Sequence, residues 1–177
     1  MRYREKVSVI REEEMSNLNA PLRDVLEGRH YATLATHNDD GTILLTPVWY
    51  LFDNGNFYVG SLSTSKKVRN LMARNGATIM IDIRTPGTEL WVSASGVVEI
   101  ITGQSSREIN ARIFPRYLTK EALDDDQIGP LFAGVNDITI CLTPQKWRSW
   151  NSRDVDQQFL GGKLATTPEK WFHPMDD

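Results

Sequence analysis

The sequence contains one cysteine in 177 residues, Cys141, so no disulfide can form within a single chain. Such usage belongs with a reducing compartment. Cys141 sits in the apolar run DITICLTP beside Ile138 and Ile140 and reads as a small buried residue. Histidine is scarce too: His30, His37 and His173 are scattered, without cysteine partners or HExxH spacing, which excludes a zinc motif. No stretch approaches the ~20 apolar residues of a membrane span. The opening MRYREKVSVIREEEM is charged throughout and lacks the apolar core of a secretory signal, so a cytoplasmic protein without a membrane partner is expected. Positive charge is not in excess. With 20 Lys and Arg against 23 Asp and Glu the net charge is −3, which excludes a general nucleic-acid-binding surface. There is no GxGxxG and no GxxxxGK loop, and no Ser-His-Asp arrangement can be argued. The acidic run Asp124–Asp126 lacks calcium-loop spacing and reads as a solvated face.

What is present is an ordinary globular composition, 40% hydrophobic and 24% charged, in a chain long enough to bury one core. Residues 1–16 are highly charged and read as an extended or helical arm. Residues 17–28 spell a short helix: Asn17 or Asn19 caps it, Pro21 suits its first turn, Gly28 closes it, and Leu18, Leu22, Val25 and Leu26 give one apolar face. Strand periodicity then takes over at 30–37. It continues at 42–52, where both faces are mainly apolar and Pro47 signals an edge, a bulge or a break. Further strands are expected at 56–61, 77–83, 90–101 with a bulge at Gly96, and 135–143. The links NDDG at 38–41, DNGN at 53–56 and RTPGTE at 84–89 are hairpin-sized, so the pairing should be antiparallel. Helices are expected at 64–75, 104–118 and 121–133, and the tail 152–177 shows no clean period. Six strands with apolar residues on both faces favour a mainly β protein with peripheral helices, a six-stranded antiparallel barrel.

One segment carries chemistry. In SLSTSKKVRNLMARNG (61–76), Val68, Leu71 and Met72 mark a buried helical stripe, and Ser63 or Thr64 is the expected N-cap. The first turn holds Lys66, Lys67 and then Arg69, with no acidic residue, which opposes the helix dipole. Two readings account for this. A bound anion would reverse the mismatch, since free N–H groups, hydroxyls and an ammonium group would converge on it; otherwise the element is a capped surface helix with solvated lysines. At 100° per residue Lys67 lies about 40° beyond Leu71, at the border of the buried stripe. Lys66 falls nearly opposite, in solvent, so Lys67 is the better phosphate ligand.

Residues 32–71, ATLATHNDDGTILLTPVWYLFDNGNFYVGSLSTSKKVRNL, and 77–83, ATIMIDI, resemble the split-barrel flavin/deazaflavin oxidoreductases related to pyridoxamine 5′-phosphate oxidase. The shared features are the opening strand with its DG turn, the T-P-V-W-Y run, and S-x-K-x-R-N-L at the helix start, within about residues 18–150. The resemblance implies a homodimer with cofactor grooves at the interface and a cofactor-binding domain over 17–150, followed by an extension at 151–177. Carried onto matching positions, Pro47, Val48, Trp49 and Tyr50 would run along the cofactor ring, and Ser61, Ser65 and Lys67 would hold its phosphate. Arg69 is a secondary contact or a helix-surface salt bridge. Trp150, in QKWRSWN, covers the ring or packs at the interface. The cofactor expected is FMN, or the deazaflavin coenzyme F-420, whose longer anionic tail would favour Lys66, Arg69 and Arg74. The activity implied is hydride transfer to or from a small organic substrate, stacked under Trp49, Tyr50 or Trp150. The rival reading is a flavin- or haem-binding protein without turnover. No catalytic side chain and no metal ligand is assigned, and the basic and histidine residues of the vitamin oxidase's substrate site have no counterpart here.

Overall fold

The computed structural model describes residues 8–10 and 20–175. The arm expected at 1–16 falls outside these except for β1 (Ser8–Ile10), and so do the caps proposed at Asn17 and Asn19. Helix α1 (Ala20–Glu27) precedes β2 (Ala32–His37), β3 (Ile43–Val48), β4 (Leu51–Asp53) and β5 (Asn56–Ser61). Helix α2 (Lys66–Ala73) leads into β6 (Gly76–Ile83) and β7 (Leu90–Thr102). Helices α3 (Gly103–Ile113), α4 (Lys120–Asp124) and α5 (Ile128–Val135) follow, then β8 (Ile138–Asn151), α6 (Ser152–Leu160) and α7 (Lys163–Thr166).

All pairings are antiparallel, in the order β3-β2-β6-β7-β8-β5-β4, with β1 added to β8. The expected class therefore holds, with two corrections to the strands. The single strand expected at 42–52 is split at Trp49–Tyr50, so its halves β3 and β4 lie at opposite ends of the sheet path. The last strand does not stop at 143 but runs on to Asn151, giving β7 a partner along its whole length. Asn54 and Gly55 both take positive φ, 48° and 78°, as a two-residue hairpin turn requires. Gly96 sits at the register shift between β7 and β8, and a Cβ there would lie 1.9 Å from the Thr143 carbonyl oxygen. The tail without a period is helical: Asn151 caps α6, and the buried Asp156 carboxylate accepts from Leu164 N and Ala165 N at the start of α7.

The inner face holds the core. Leu34, Ile79, Ile81, Val92, Ala94 and Ile140 have no exposed surface, and each large aliphatic buried in this way contributes roughly 1.5–3 kcal/mol. Trp147 is 1% exposed and packs on Phe57 and Phe52 at ring-centroid distances of 5.7 and 6.1 Å, yet its Nε1–H has no partner among the described residues. Losing the ring costs more than losing the N–H. Trp147→Ala should destabilise the protein by about 3–5 kcal/mol, and Trp147→Phe by less than half of that, since it also removes a buried unpaired donor. Urea unfolding of both variants checks the order; equal losses would contradict it.

The outer face is different. Leu45, Ala35, Thr78, Ser95 and Lys146 form one row across five strands, and Pro47, Thr33, Met80, Ser93 and Arg148 the next. Ile43 is 49% and Leu45 62% exposed on this face. A shallow cavity of about 380 Å³ opens on it, between His37, Ile43 and Lys146. The sequence reading expected both faces of this strand to be covered; in one chain, one face is open.

Candidate functional site

Strand β3 pairs with β2 along one edge and has no strand on its other edge among the described residues. Strand β5 pairs with β4 only from Asn56 to Tyr58, so Val59, Gly60 and Ser61 have no strand on that side among the described residues. Splitting 42–52 thus leaves β3 and the end of β5 each with one strand edge free of a strand partner among the described residues, and β5 leads directly to the start of α2.

The N-cap of α2 is Ser65, two residues beyond Ser63 and one beyond Thr64, with extended φ, ψ of −67° and 151°. Its hydroxyl makes no capping bond; it lies 3.1 Å from the hydroxyl of the buried Ser61. The two expected caps are engaged otherwise. Ser63 donates through N and Oγ to the Asp137 carboxylate, both at 2.6 Å, which clamps the loop to the start of β8. The Thr64 carbonyl accepts from Arg69 Nη1 at 2.5 Å. Among the described residues Arg69 makes no salt bridge; it braces the first turn through this carbonyl and keeps its charge. With no capping side chain and no acidic residue in the first turn, the N-terminal amides of α2 remain open to an anion.

Lys67 is half-buried, and burial holds its ammonium group below its ordinary pKa. No carboxylate pairs with it among the described residues. Its neighbours are committed. Lys66 pairs with Asp39 at 3.4 Å, and Arg74 donates to the Asn38 carbonyl at 3.3 Å. The structure thus brings Ser61, Ser65 and Lys67 to the start of one helix, as the sequence reading expected.

The four residues expected along the ring lie in different surroundings. Pro47 is exposed on the open face and Val48 is 7% exposed at the end of β3. Tyr50 is not available: it has no exposed surface, and its hydroxyl donates to the Val25 carbonyl at 3.1 Å. Burial pushes that hydroxyl far above its ordinary pKa, so it remains a neutral donor. Trp49 is already stacked, on Tyr117 at 4.9 Å with parallel planes and on Phe132 at 5.3 Å. Trp150 lies opposite Trp91 in the β7–β8 ladder, half-buried, on the same face as Arg148.

Arg116 and Tyr117 were missed by sequence reasoning, which read 104–118 and 121–133 as helices and gave them no part in the site. The Tyr117 hydroxyl accepts from Tyr50 N at 3.1 Å and lies within donor reach of the carbonyls of His30, at 2.9 Å, and Tyr50, at 3.1 Å. Arg116 donates to the carbonyls of Tyr50, Glu27 and Gly28. Together they satisfy the backbone at the break between β3 and β4 and tie it to the end of α1. A pair of residues 66 to 89 positions away from its partners leaves no local pattern to read. Among the described residues no group of three His, Cys, Asp or Glu could hold a metal, and no helix is long and apolar enough to cross a membrane.

Several solved structures share this architecture. A conserved hypothetical protein from Mycobacterium tuberculosis, Rv2991, superposes with a TM-score of 0.67 at 22% identity, over 88% of this chain and 92% of that one. An F420 reductase gives 0.55 at 22% identity, over 71% and 94%. A FAD-binding protein from Mesorhizobium loti gives 0.56 at 14% identity, over 81% and 96%. At such identities the likeness concerns the fold. No curated protein matches the sequence. The family model for pyridoxamine 5′-phosphate oxidase matches residues 18–151, the whole span from α1 through β8. With its antiparallel split sheet and the helix that follows β5, the chain belongs to the pyridoxamine 5′-phosphate oxidase family of split-barrel proteins.

Proposed function

We propose that this protein is a homodimeric FMN-dependent oxidoreductase acting on a small organic molecule. The observation that carries the reading is Lys67: a half-buried cation with no carboxylate partner among the described residues, in the first turn of a helix whose N-cap Ser65 makes no capping bond and lies against Ser61. A buried charge left unpaired is costly, and a phosphate ester would neutralise it and fill the open amides at once. The residues fit the cofactor. Ser61, Ser65 and Lys67 would hold its phosphate, and the unpaired backbone beside Pro47 and Val48 offers donors and acceptors to the polar end of its ring. FMN supplies hydride chemistry when bound; the chain supplies binding, orientation and shielding from water. The family membership and the F420 reductase and FAD-binding neighbours support a flavin-type cofactor.

We favour FMN over the deazaflavin as the cofactor. A longer anionic tail would draw on further cations near the helix start: Lys66 is paired with Asp39, while Arg69 and Arg74 are oriented by the Thr64 and Asn38 carbonyls and keep their charge. The absorbance spectrum of the purified protein, with mass analysis of whatever it releases, tests this: released FMN supports it, and a deazaflavin held in preference to FMN refutes it.

The dimer is proposed on the open sheet face, where exposed Ile43, Leu45 and Pro47 flank small residues. A two-fold interface would bring copies of this patch near each other. Leu45→Glu should therefore leave a folded monomer in sedimentation velocity at concentrations where the unsubstituted chain is a dimer. An L45E dimer of unchanged affinity would remove this face from consideration.

A further inference from the structure

The β2–β3 turn is tied to α2 by three separate contacts. Lys66 reaches Asp39, Arg74 reaches the Asn38 carbonyl, and Asn70 donates through Nδ2 to Thr36 Oγ1 at 3.1 Å and to Asn38 Oδ1 at 2.9 Å. The first two lie at the surface. Asn70 is 2% and Thr36 1% exposed. Val68 and Leu71, on the same helix, are buried among apolar side chains. Such contacts press a helix against a sheet but let it turn or slide by fractions of an ångström at small cost. Directional bonds do not.

The Asn70 amide also bears a cost that a packing residue would avoid: its Oδ1 is buried without a partner among the described residues. A leucine would fill similar space with no polar atom to satisfy. Polar groups kept in a core at such a cost fix one geometry among several. What stands to be fixed is one turn away: Lys67 precedes Asn70 by three residues, and Ser65 by five.

We infer that Asn70 is a positioning residue that locks α2 to β2 so that the helix N-terminus and Lys67 converge on one phosphoryl group. The inference rests on the proposed phosphate site and specifies what sets its affinity. It does not act on the ring. Loss of the Asn70 bonds should weaken FMN, which bears the phosphate, and spare riboflavin, which has the same ring without it.

The test is fluorescence titration of Asn70→Leu and Thr36→Val with FMN and with riboflavin, alongside thermal unfolding. T36V keeps size and burial while removing one acceptor, so it stands in if N70L does not fold. FMN affinity should fall about tenfold in N70L and less in T36V, while riboflavin affinity holds and both variants unfold cooperatively. A preference for FMN that survives both substitutions overturns the positioning role and leaves the phosphate site standing. Parallel loss of both ligands assigns Asn70 to general stability and overturns the role as well. No preference for FMN in the unsubstituted chain overturns the phosphate site, and this inference with it.

Discussion

Lys67→Met should lower affinity for FMN by roughly 10- to 100-fold, the loss expected of one hydrogen bond to a charged group at about 1.5–3 kcal/mol. Affinity for riboflavin should not change. Methionine keeps the apolar stem that lies along the buried border and removes only the ammonium group. A second effect has the opposite sign. Without ligand, Lys67 is a partly desolvated cation with no carboxylate beside it among the described residues, so the unliganded variant should melt at a higher temperature than the parent. A lysine kept for structure would give a lower one. The pH dependence follows from the same burial. Because the folded-state pKa is lowered, the unliganded protein gains stability as pH rises from that lowered value towards the ordinary lysine value. FMN affinity declines over the same interval, as the ammonium group that faces the phosphate is lost. In K67M both alkaline trends should flatten.

Tyr117→Ala should cost about 2–4 kcal/mol, below the range of fully buried aromatics cut to alanine because Tyr117 is half-buried. For a domain of this size that lowers the melting temperature by on the order of 10 °C. Two losses combine. The ring leaves Trp49 without its parallel neighbour at 4.9 Å, and the hydroxyl leaves Tyr50 N without an acceptor at the strand break. Tyr117→Phe separates them. It keeps the stack and removes the hydroxyl, so it should cost about 1–3 kcal/mol, the penalty of a stranded polar group. The break lies beside Pro47 and Val48, at the ring end of the proposed site. Both variants should therefore weaken FMN and riboflavin alike, in contrast to the phosphate-selective loss in K67M. Urea unfolding with an unchanged m-value would confirm that the two-state transition persists and that the shift is one of stability. Unchanged stability in Y117F would show that solvent or another acceptor already serves Tyr50 N at the break.

Much of the fold was legible because local chemistry dictates it. Asn54-Gly55 demands a tight hairpin, Gly96 demands a bulge, and the expected stripe of Val68, Leu71 and Met72 demands a helix with one buried side, although Met72 at its border is 75% exposed. The proposed phosphate end of the site drew attention for the same reason, since three basic residues and no acidic one in a helix start is a local anomaly. The rest depends on contacts that sequence does not show. Pro47 announced a break, but its position at Trp49–Tyr50 is set by Arg116 and Tyr117, far along the chain. Tyr50 was expected along the cofactor ring; the bend turns its side chain into the core under α1. The N-cap was displaced from Ser63 to Ser65 because Asp137 claims Ser63. The strand β8 outran its expected end since β7 pairs with it as far as Asn151.

Titration of the unsubstituted chain with FMN and with riboflavin, under identical buffer conditions, tests the phosphate site most directly. Both share the ring, so the ratio of dissociation constants isolates what Ser61, Ser65, Lys67 and the α2 N-terminus contribute. FMN should bind at least about tenfold more tightly, with the difference shrinking as salt screens the exposed part of the charge interaction. Equal affinities, or binding of neither, would contradict the assignment of this helix start as a cofactor phosphate site.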